Sequence, residues 1–392
     1  MNKTILTINA GSSSIKFALY AADDGLARHP FLSGQIDGLG AAARLVAKDA
    51  NGERIANEIL PDGIRHAEGL DALFAWLAAR NTGSGKVIAV GHRVVHGGEL
   101  YSQPVRLDAA AVEALEQFIV LAPLHQPHNL NGIKAVAARL PDVPQIACFD
   151  TAFHRTQPAL AQLFAIPRAL TAEGVKRYGF HGLSYEYIAR VLPEHTTRAE
   201  GRVLVAHLGN GASMCAMVGR RSQTSSMGFT AIDGLMMGTR TGALDPGVLL
   251  YLLQSKGMDA KGLERMLYKE SGLLGVSGIS QDMRTLLASD RPEAAEAVDL
   301  FCYRIVREIG ALAACIGGVD ALVFTGGIGE HAAEVRRRVC LLSEWLGIRT
   351  NPEANARHDI VISAGNSTVD VLVIPTNEEW MMAHHAQTLL AL

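Results

Sequence analysis

The chain has 392 residues, of which 48% are hydrophobic and 19% are charged, and its formal net charge is -3. This length exceeds what one compact core usually holds, so we expect two globular domains. The weakly negative charge excludes general binding to nucleic acid or to anionic membranes, because both select a strongly basic protein surface.

Cysteine usage and hydropathy indicate the compartment. The five cysteines include no Cys-x-x-Cys pair, which favours reduced thiols over a disulfide framework or a zinc site. Charged residues interrupt the apolar stretches before they reach membrane-spanning length. The first functional-looking loop begins at residue 9, which leaves no room for a secretory leader. We therefore expect a soluble cytoplasmic protein.

A small polar turn lies between the first two predicted strands. Thr4–Ile8 and Phe17–Tyr20 are apolar runs typical of strands, and Asn9–Lys16 joins them. Its serine hydroxyls, glycine and lysine suit this turn to hold a phosphate tail. Ordinary hairpin turns use the same residues, so this turn alone leaves both interpretations open.

Two later strands lead to charged residues. Helical periodicity predicts a helix over 68–80, and the strand Val87–Val90 follows it and precedes Arg93. The strand Val143–Phe149 runs directly into Asp150. Ligands of open α/β sheets collect outside the carboxyl ends of the strands. Arg93 is therefore a candidate anion binder, and Asp150 is either a functional carboxylate or an N-cap.

Helices and a change of domain occupy the neighbouring segments. Asp108 is predicted to cap a helix, the segment Leu121–Asn129 breaks it, and another helix follows to about Leu140. Residues 150–180 contain no long periodic element, so we place the change of domain there.

The second half repeats the design of the opening hairpin. The strand Val203–Leu208, the turn Gly209–Ser213 and the strand Met214–Val218 follow one another. Two phosphate-facing hairpins in two related domains explain this repetition better than two unrelated turns. Glycines flank the pair Phe180 and His181, which indicates tight backbone geometry around projecting side chains. The glycine-containing segment Gly234–Gly242 is expected to be a flexible loop that presents Arg240.

The last third alternates helices with strands. Asp245 and Asp282 begin predicted helices, the latter as a first-turn acid or more, and a long helix covers about 293–316. The strand Ala321–Thr325 leads into the glycine-rich turn Gly326–Glu330 and then a helix. This arrangement binds nucleotides in many proteins, but its spacing matches neither the dinucleotide fingerprint nor the P-loop.

The end of the chain is predicted to hold two strands and one helix. Ile360–Ser363 and Val369–Ile374 are the strands, and Pro375–Glu379 caps a helix that runs to Leu392.

Together these blocks resemble the acetate kinase family, within the superfamily of acetate and sugar kinases, heat-shock chaperones and actin. The matching blocks are Asn9–Lys16, Gly91–Glu99, Phe149–His154, Tyr178–Gly182, His207–Gly211, Gly238–Gly242, Asp282–Arg284, Gly326–Glu330 and Thr376–Glu379. Each block is a weak signal, whereas all of them in this order are specific.

The resemblance implies an α/β fold with two duplicated ribonuclease H-like (actin-like ATPase) domains and a nucleotide cleft between them. The first domain would be 1–150, completed by the C-terminal helix 376–392. The second would be 151–375, which would bind nucleotide and form a homodimer.

The resemblance also assigns roles to particular residues. Those implied in binding ATP or ADP are Ser12, Ser14, Lys16, His207, Leu208, Gly209, Asn210, Gly211, Asp282, Met283, Arg284, Gly326, Gly327, Ile328, Gly329 and Glu330. Those implied in binding the acceptor are Arg93, Val95, Leu124 and Phe180, and those in catalysis are Arg93, Asp150, His181 and Arg240. Mg²⁺, or Mn²⁺ in its place, is associated with Asn9 and Glu378, since Mg²⁺ prefers oxygen ligands.

The implied reaction is direct transfer of the γ-phosphoryl group of ATP to acetate, with Arg93 orienting the carboxylate and Arg240 and His181 stabilising the phosphoryl oxygens. Free carboxyls titrate near pH 4, so the acceptor has no proton to lose, and we expect Asp150 to orient groups. His125 is expected to support the acceptor loop, and a phosphohistidine mechanism is the less favoured route.

Two other functions remain open at this point. A propionate or butyrate kinase would use the same chemistry, and Ala231 stands where some relatives carry proline, which would enlarge the acceptor pocket. One methylene group changes binding by only about 1–3 kcal/mol in an apolar pocket. An actin- or chaperone-like ATPase clamp is the second alternative, although the chain lacks an additional peptide-binding region.

Overall fold

Two mixed β-sheets organise the computed structural model, which describes residues 3–11, 13–23, 25–79, 85–123 and 125–392. The strands are β1 (Lys3–Ala10), β2 (Ser14–Ala21), β3 (Leu32–Asp37), β4 (Arg44–Asp49), β5 (Arg54–Ile59), β6 (Lys86–Val94), β7 (Val105–Arg106), β8 (Gln145–Phe149), β9 (Arg202–Leu208), β10 (Ala212–Val218), β11 (Arg221–Ser225), β12 (Ala321–Thr325) and β13 (Asp370–Val373). The α-helices are α1 (His66–Ala79), α2 (Ala109–Glu116), α3 (Gln126–Arg139), α4 (Arg168–Ala172), α5 (Gly182–Val191), α6 (Pro246–Gln254), α7 (Ala260–Lys269), α8 (Gly272–Ser277), α9 (Met283–Leu287), α10 (Pro292–Ile316), α11 (Gly326–His331), α12 (Ala333–Leu342), α13 (Pro352–Ala356) and α14 (Glu378–Leu390).

The first sheet has the strand order β5-β4-β3-β2-β1-β6-β8-β7. Strands β1 to β5 pair with their neighbours in antiparallel fashion, whereas β1 with β6 and β6 with β8 are parallel. Ile8 lies beside His92, and Val94 beside Phe149. The carboxyl ends of β1, β6 and β8 therefore meet at one edge of the sheet.

The second sheet repeats this arrangement, with the order β11-β10-β9-β12-β13. Its first three strands are antiparallel, and β9 with β12 and β12 with β13 are parallel. The same succession is found in β3-β2-β1-β6-β8 of the first sheet. The duplication that the two polar hairpins predicted is thus visible in the strand pairing.

Each sheet belongs to a separate structural unit. The first unit comprises Met1–Phe153 and Asn377–Leu392, and the second comprises His154–Thr376. Helix α14 joins the first unit because it packs on β1 and β6. Gly91 of β6 permits this packing, since a Cβ atom there would lie 2.9 Å from the Met382 carbonyl oxygen.

The core of the first unit follows from simple alternation and helical periodicity. Leu70, Leu73 and Trp76 of α1 are buried and recur at the three-residue spacing that places them on one helical face. They cover apolar side chains of β1 to β4, among them Phe17, whose ring centroid lies 6.4 Å from that of Trp76. The helix predicted over 68–80 is thus present as α1.

Several boundaries differ from the sequence prediction. Arg93 lies within β6, because β8 pairs with the strand as far as Val94, beyond the last β1 pair at His92. Helix α3 begins at Gln126, inside the segment that was expected to be a break, because Pro127 is acceptable in a first helical turn. Asp108 caps α2 as predicted, accepting a hydrogen bond of 2.8 Å from the Ala111 amide.

The C-terminal third shows two further differences. The stretch predicted as a glycine-rich turn is the helix α11, which starts directly after β12 because Gly326 adopts a φ of 76°. Of the two final strands predicted, only β13 forms, and residues 360–363 contribute the isolated bridges Thr350–Ser363 and Val361–Leu372. A single bridge on each side is too short to count as a strand.

The expectations about membrane and cysteine chemistry can also be compared with the structure. Within the described residues, no helix combines the length and apolarity needed to cross a membrane. All five cysteines are unbridged, and four of them are buried.

We predict that stability declines below neutral pH because of two buried histidines. Burial lowers the pKa of both His92 and His96 to about 4, although a hydrogen bond to Gln145 partly opposes this for His92. Because these values lie below the unfolded value of about 6.5, stability is complete above pH 6.5 and is lost as the pH falls toward 4, by an amount on the order of 3 kcal/mol for each histidine.

Urea denaturation between pH 7 and pH 5 measures this decline. In the wild type, the Gly98 amide donates to His96 Nδ1 at 2.9 Å. The variant His96→Asn keeps an acceptor for this amide, but its side chain cannot titrate. Its unfolding free energy should depend less steeply on pH than that of the wild type. Equal pH dependence of the two proteins would contradict the assignment.

Candidate active site

Arg93 is the centre of the polar group in the first unit. Its Nε and Nη2 donate to Asp150 Oδ1 at 3.0 Å and Oδ2 at 2.5 Å, and its Nη1 donates to Asn9 Oδ1 at 3.3 Å. These bonds occupy three of the five guanidinium N–H groups. One N–H on Nη1 and one on Nη2 are therefore left for a ligand, as far as the described residues show. The Arg93 side chain is 21% exposed, whereas that of Asp150 is 2% exposed.

Strand ends bring these side chains together. Asn9 belongs to β1 and Arg93 to the adjacent β6, and the Asp150 amide donates to the Val94 carbonyl at 3.1 Å just beyond β8. Parallel pairing thus delivers one polar residue from each of three neighbouring strands to the same edge. The hydrogen bonds that the structure shows for the Asp150 carboxylate come from Arg93, and none of these bonds caps the next segment.

The charges in this group are strongly coupled. Burial alone would lower the pKa of Arg93, but Asp150, Glu378 and Glu379 together raise it above its usual value. Burial raises the pKa of Glu378 to about 7, with Arg93 opposing the rise and Asp150 adding to it. Glu378 Oε2 lies 4.0 Å from Arg93 Nε. The site therefore contains more carboxylate than its own cations neutralise.

Helix α14 supplies Glu378 from the opposite end of the chain. Asn377 caps this helix by accepting a hydrogen bond of 2.9 Å from the Trp380 amide, and Tyr20 Oη of β2 donates to the same oxygen at 3.2 Å. The Trp380 indole in turn donates to the Ala27 carbonyl at 3.2 Å. These contacts fix the first turn of α14 on the first sheet, so that Glu378 lies beside Arg93.

The first hairpin has the geometry that its sequence predicted. Lys16 of β2 pairs with Asn9 of β1 in the ladder, and the Gly11 amide donates to the Ser14 carbonyl at 2.8 Å. Lys16 is exposed and, with Glu379, lines a cavity of about 430 Å³. Ser12, which was assigned to nucleotide binding, lies outside the described residues.

The oxygen atoms around Arg93 fit a magnesium ion. Asn9 offers an amide oxygen and Glu378 a carboxylate, and Mg²⁺ typically takes one or two protein ligands while phosphate and water complete its shell. The described residues contain no cluster of three or more His, Cys, Asp or Glu side chains arranged for a metal. The residues present can therefore hold an ion that phosphate and water also coordinate, rather than one enclosed by protein ligands alone.

The side chains expected to form the acceptor wall are distributed over both units. Val95 is buried in the first unit, and its amide donates to Asn129 Oδ1 at 3.0 Å. Phe180 is buried in the second unit, where its carbonyl accepts a hydrogen bond of 2.9 Å from His154 Nε2. Leu124 lies outside the described residues. His125 directly precedes α3 at its N-cap position.

In the second unit, His181 and Arg240 converge on Gly211. A Cβ atom at Gly211 would lie 3.4 Å from His181 Nε2 and 3.6 Å from Arg240 Nη2. Arg240 Nη1 donates to the Ala231 carbonyl at 2.8 Å, which holds the guanidinium in place. The absence of a side chain at Gly211 therefore leaves space for a ligand beside one imidazole and one cation.

Two stacked imidazoles lie behind this space. The rings of His181 and His207 are stacked with centroids 4.4 Å apart. Each Nδ1 atom is hydrogen bonded at 2.8 Å to a serine hydroxyl, that of Ser213 for His181 and that of Ser184 for His207. Tyr185 holds Ser213 in turn, and Thr376 donates to Ser184 at 2.9 Å. These bonds fix the orientation of both rings.

A cavity of about 500 Å³ adjoins the second hairpin. Seven of its lining residues were predicted to bind nucleotide: Gly209, Asn210, Asp282, Met283, Arg284, Gly327 and Ile328. Four others were not: Gln281, Leu287, His331 and Ala332. Leu287 and His331 lie one helical turn after Met283 and Gly327. Helical periodicity would have indicated Leu287 from the helix predicted at Asp282, and His331 once α11 was recognised as a helix.

Close backbone contacts shape this cavity. A Cβ atom at Gly238 would lie 1.9 Å from Asn210 Oδ1, and the Gly238 amide donates to the Asn210 carbonyl at 3.0 Å. Asp282 caps α9 by accepting 2.9 Å from the Arg284 amide, and these two side chains form an ion pair. This pair, together with the amide bond, lowers the pKa of Asp282.

Other residues assigned to the nucleotide have structural contacts. Glu330 accepts from the amides of Gly326 at 2.9 Å and Thr376 at 3.2 Å, and the Leu208 side chain is buried in the core. The Gly329 carbonyl accepts 2.8 Å from the fully buried Arg336. These contacts fix α11 and the loop before α14, so any contact of Leu208 or Gly329 with a nucleotide would involve the backbone.

Comparisons with known proteins agree on one family. The model of the Acetokinase family matches residues 4–384. The chain is similar to the acetate kinase of Rhodopseudomonas palustris, with 55% identity over 98% of each chain. Its fold is similar to that of a propionate kinase from Francisella tularensis (TM-score 0.92, 36% identity, 98% and 99% coverage) and of the Porphyromonas gingivalis acetate kinase (TM-score 0.88, 37% identity, 99% and 100% coverage).

We predict that the cap of α14 stabilises the first unit more than an ordinary cap would. Asn377→Ala should lose about 1 kcal/mol for the cap and roughly 0.5–1.5 kcal/mol more for the hydrogen bond from Tyr20. Asn351→Ala is the matched control, because the Asn351 side chain caps α13 through two amides at 3.0 Å and accepts no hydrogen bond from a tyrosine hydroxyl in the described part of the chain. Urea denaturation measures the unfolding free energy of both variants. An equal loss of stability in Asn351→Ala would contradict the prediction.

Proposed function

Because this chain belongs to the acetokinase family, we propose that it catalyses the reversible transfer of the γ-phosphoryl group of ATP to acetate, giving acetyl phosphate and ADP. The observation that carries the proposal is the hydrogen bonding of the Arg93 guanidinium group. Asp150 occupies one edge of its guanidinium, while one N–H on each terminal nitrogen is left for a ligand. Two parallel N–H groups match a carboxylate bidentately.

Arg93 binds the carboxylate of acetate in this proposal, and Asp150 orients Arg93. Acetate is ionised near neutral pH, as free carboxyls titrate near 4, so the nucleophile needs no general base. The bidentate contact between Asp150 and Arg93 supports an orienting role. Val95 and Phe180 would exclude water from the methyl group, as would Leu124.

Arg240 and His181 stabilise the transferring phosphoryl group. Phosphoryl transfer has a loose, charged transition state, so positioned cations and hydrogen-bond donors lower its barrier. The approach of His181 Nε2 and Arg240 Nη2 to the space above Gly211 supports these roles. His207 stacks on His181 and keeps that ring in place. Lys16, with Ser12 and Ser14, would bind phosphate oxygens.

The cavity between α9 and α11 is the proposed site for the nucleoside of ATP. Its volume of about 500 Å³ suits a nucleoside, and the exposed backbone of Gly209 and Gly327 lets a flat ring approach closely. Mg²⁺, held by Asn9 and Glu378, would neutralise the phosphate charge that develops in the reaction. The pKa of Glu378, raised mainly by burial and further by the nearby carboxylates Asp150 and Glu379, supports a cation there.

Propionate is a second candidate acceptor. Ala231 lies next to the catalytic group, because its carbonyl accepts the hydrogen bond of Arg240 Nη1. Alanine in place of proline at this position would leave more room for a longer acid. We place acetate first because the chain shares 55% identity with a protein named acetate kinase.

We also propose a homodimer in the cytoplasm. Large apolar side chains are exposed on α6 and α10, including Leu250, Tyr251 and Tyr303, which are 51–60% exposed. Exposed apolar side chains of this size on the second unit support an interface with another copy. Unbridged cysteines support a reducing compartment.

The initial rate of acyl phosphate formation tests the function. We expect hydroxylamine trapping with ATP and Mg²⁺ to give the highest kcat/KM with acetate, followed by propionate and then butyrate, because an added methylene changes binding by about 1–3 kcal/mol. A preference for propionate would keep the mechanism and change the acceptor. No acyl phosphate from any acid would refute the proposal, and turnover stimulated by a polypeptide would favour the ATPase clamp.

Loss of Arg240 should abolish most turnover without unfolding the protein. We expect Arg240→Ala to reduce kcat by roughly 10³-fold, as for arginines that stabilise phosphoryl transfer elsewhere. The control is Arg220→Ala, which removes an exposed ion pair with Glu200 and should leave kcat within about twofold. Similar kcat values for the two variants would show that Arg240 has no role in the transition state.

Replacing Asp150 should impair acetate use without changing the pH profile. Asp150→Asn loses the charge that orients Arg93, and we expect kcat/KM for acetate to fall on the order of 10²-fold, as for other misplacements of reacting groups. Asp320→Asn is the control. Asp320 binds Arg202 in the same two-bond geometry, at 3.0 and 2.6 Å, and neither residue is among the predicted site residues.

An unchanged kcat/KM in Asp150→Asn, with normal magnesium dependence, would refute the orienting role. A lost limb in its pH profile would instead indicate that Asp150 transfers a proton.

A further inference from the structure

Asn129 connects the carboxyl ends of two strands, β1 and β6, that carry proposed site residues. Its Nδ2 donates to the Ala10 carbonyl at 2.8 Å, directly after Asn9, and its Oδ1 accepts from the Val95 amide at 3.0 Å, two residues after Arg93. Asn129 is 3% exposed. A single buried amide therefore links the last residue of β1 with the first residue after β6.

The neighbouring contacts show that this bridge is special in the described part of the chain. Gln126, one turn earlier on α3, bonds to the amide and carbonyl of His96 and to the Leu115 carbonyl, all on the β6 side. His66 of α1 donates to the Gly11 carbonyl at 2.5 Å, on the β1 side. Of these three side chains, Asn129 alone bonds to both strand ends.

We propose that Asn129 is a positioning residue, which holds the carboxyl ends of β1 and β6 together and so sets the position of Asn9 relative to Arg93 and Val95. This inference rests on the proposed function, because it concerns how the carboxylate acceptor is held. The amide is suited to the task, since it donates to a carbonyl and accepts from an N–H with one rigid group. An unsatisfied buried partner on either side would be costly, so the two strand ends are held in one arrangement.

The test separates binding of acetate from binding of ATP. Asn129→Asp is nearly isosteric and keeps the acceptor for Val95, but places a second oxygen against the Ala10 carbonyl. We expect kcat/KM for acetate to fall on the order of 10- to 100-fold, as reacting groups misplaced by about 1 Å can lose 10² in rate. KM for ATP should stay near the wild-type value, since most proposed nucleotide contacts lie in the second unit.

The control is Gln126→Glu, the same amide-to-acid change on the same helix face without a contact to β1. It should lower thermal stability as Asn129→Asp does and change the acetate parameters much less. Asn129→Ser, which retains one hydrogen bond at most, decides the question if the aspartate variant does not fold. KM values do not depend on the folded fraction, so a purely structural role would leave both of them unchanged.

Each outcome has one meaning. If the wild type forms no acyl phosphate, the proposed function fails. If the wild type is active and the Asn129 variants match its KM and kcat for acetate, or change KM for acetate and ATP equally, the inference is overturned. A selective loss with acetate that Gln126→Glu does not share supports it.

Discussion

The bidentate pair of Arg93 and Asp150 is the interaction on which the first unit's polar site depends. It forms because β1, β6 and β8 are parallel neighbours, so their carboxyl ends deliver Asn9, Arg93 and Asp150 to one edge. Asp150 is almost fully buried and holds one edge of the guanidinium, which fixes a long side chain that would otherwise sample many rotamers. Charge and geometry together make Arg93 a ready receptor for a planar anion.

The last helix completes this arrangement from a distant part of the sequence. Glu378 reaches Arg93 only because Gly91 lets α14 pack closely on β6 and because Asn377 and Tyr20 hold its first turn. Burial of Glu378 beside other carboxylates makes its ionised form costly, as its raised pKa indicates. A nearby cation would offset that cost, which agrees with the magnesium site proposed above.

The second unit repeats the strand arrangement of the first but presents different polar residues. Its hairpin and its parallel strands repeat those of the first, yet it presents stacked imidazoles and Arg240 beside Gly211 in place of the carboxylate cluster. Serine hydroxyls hold both rings, and the close approach of Gly238 to Asn210 shapes the neighbouring cavity. One duplicated scaffold has thus acquired a mainly acidic group and a mainly basic group.

Much of this could be predicted from the sequence, because strands, caps and the two polar hairpins are local patterns. The caps at Asp108 and Asp245 are confirmed, and the predicted fold class, α/β, is confirmed too. Contacts over long sequence separations could not be predicted. Arg93 was expected after its strand, since only the pairing with β8 shows that the strand continues.

The cavity in the second unit illustrates the same limit. His331 was missed because the segment that begins at Gly326 was taken for a turn, and a turn has no helical face to extend. Leu287 lies on a helix that was predicted to begin at Asp282, but the nucleotide assignment stopped at Arg284. The bridge made by Asn129 was missed for a different reason: neither Ala10 nor Val95 differs in sequence from an ordinary strand end. These two hydrogen bonds can be recognised only once the fold places Ala10 and Val95 beside α3.

A crystal structure of the protein with acetate and ADP would test the central claim most directly. The account predicts that the acetate carboxylate lies at about 2.7–3.2 Å from Nη1 and Nη2 of Arg93, while Asp150 keeps its two bonds to the same guanidinium. Acetate bound away from Arg93, or an Arg93 that breaks its pair with Asp150 to reach it, would contradict the account.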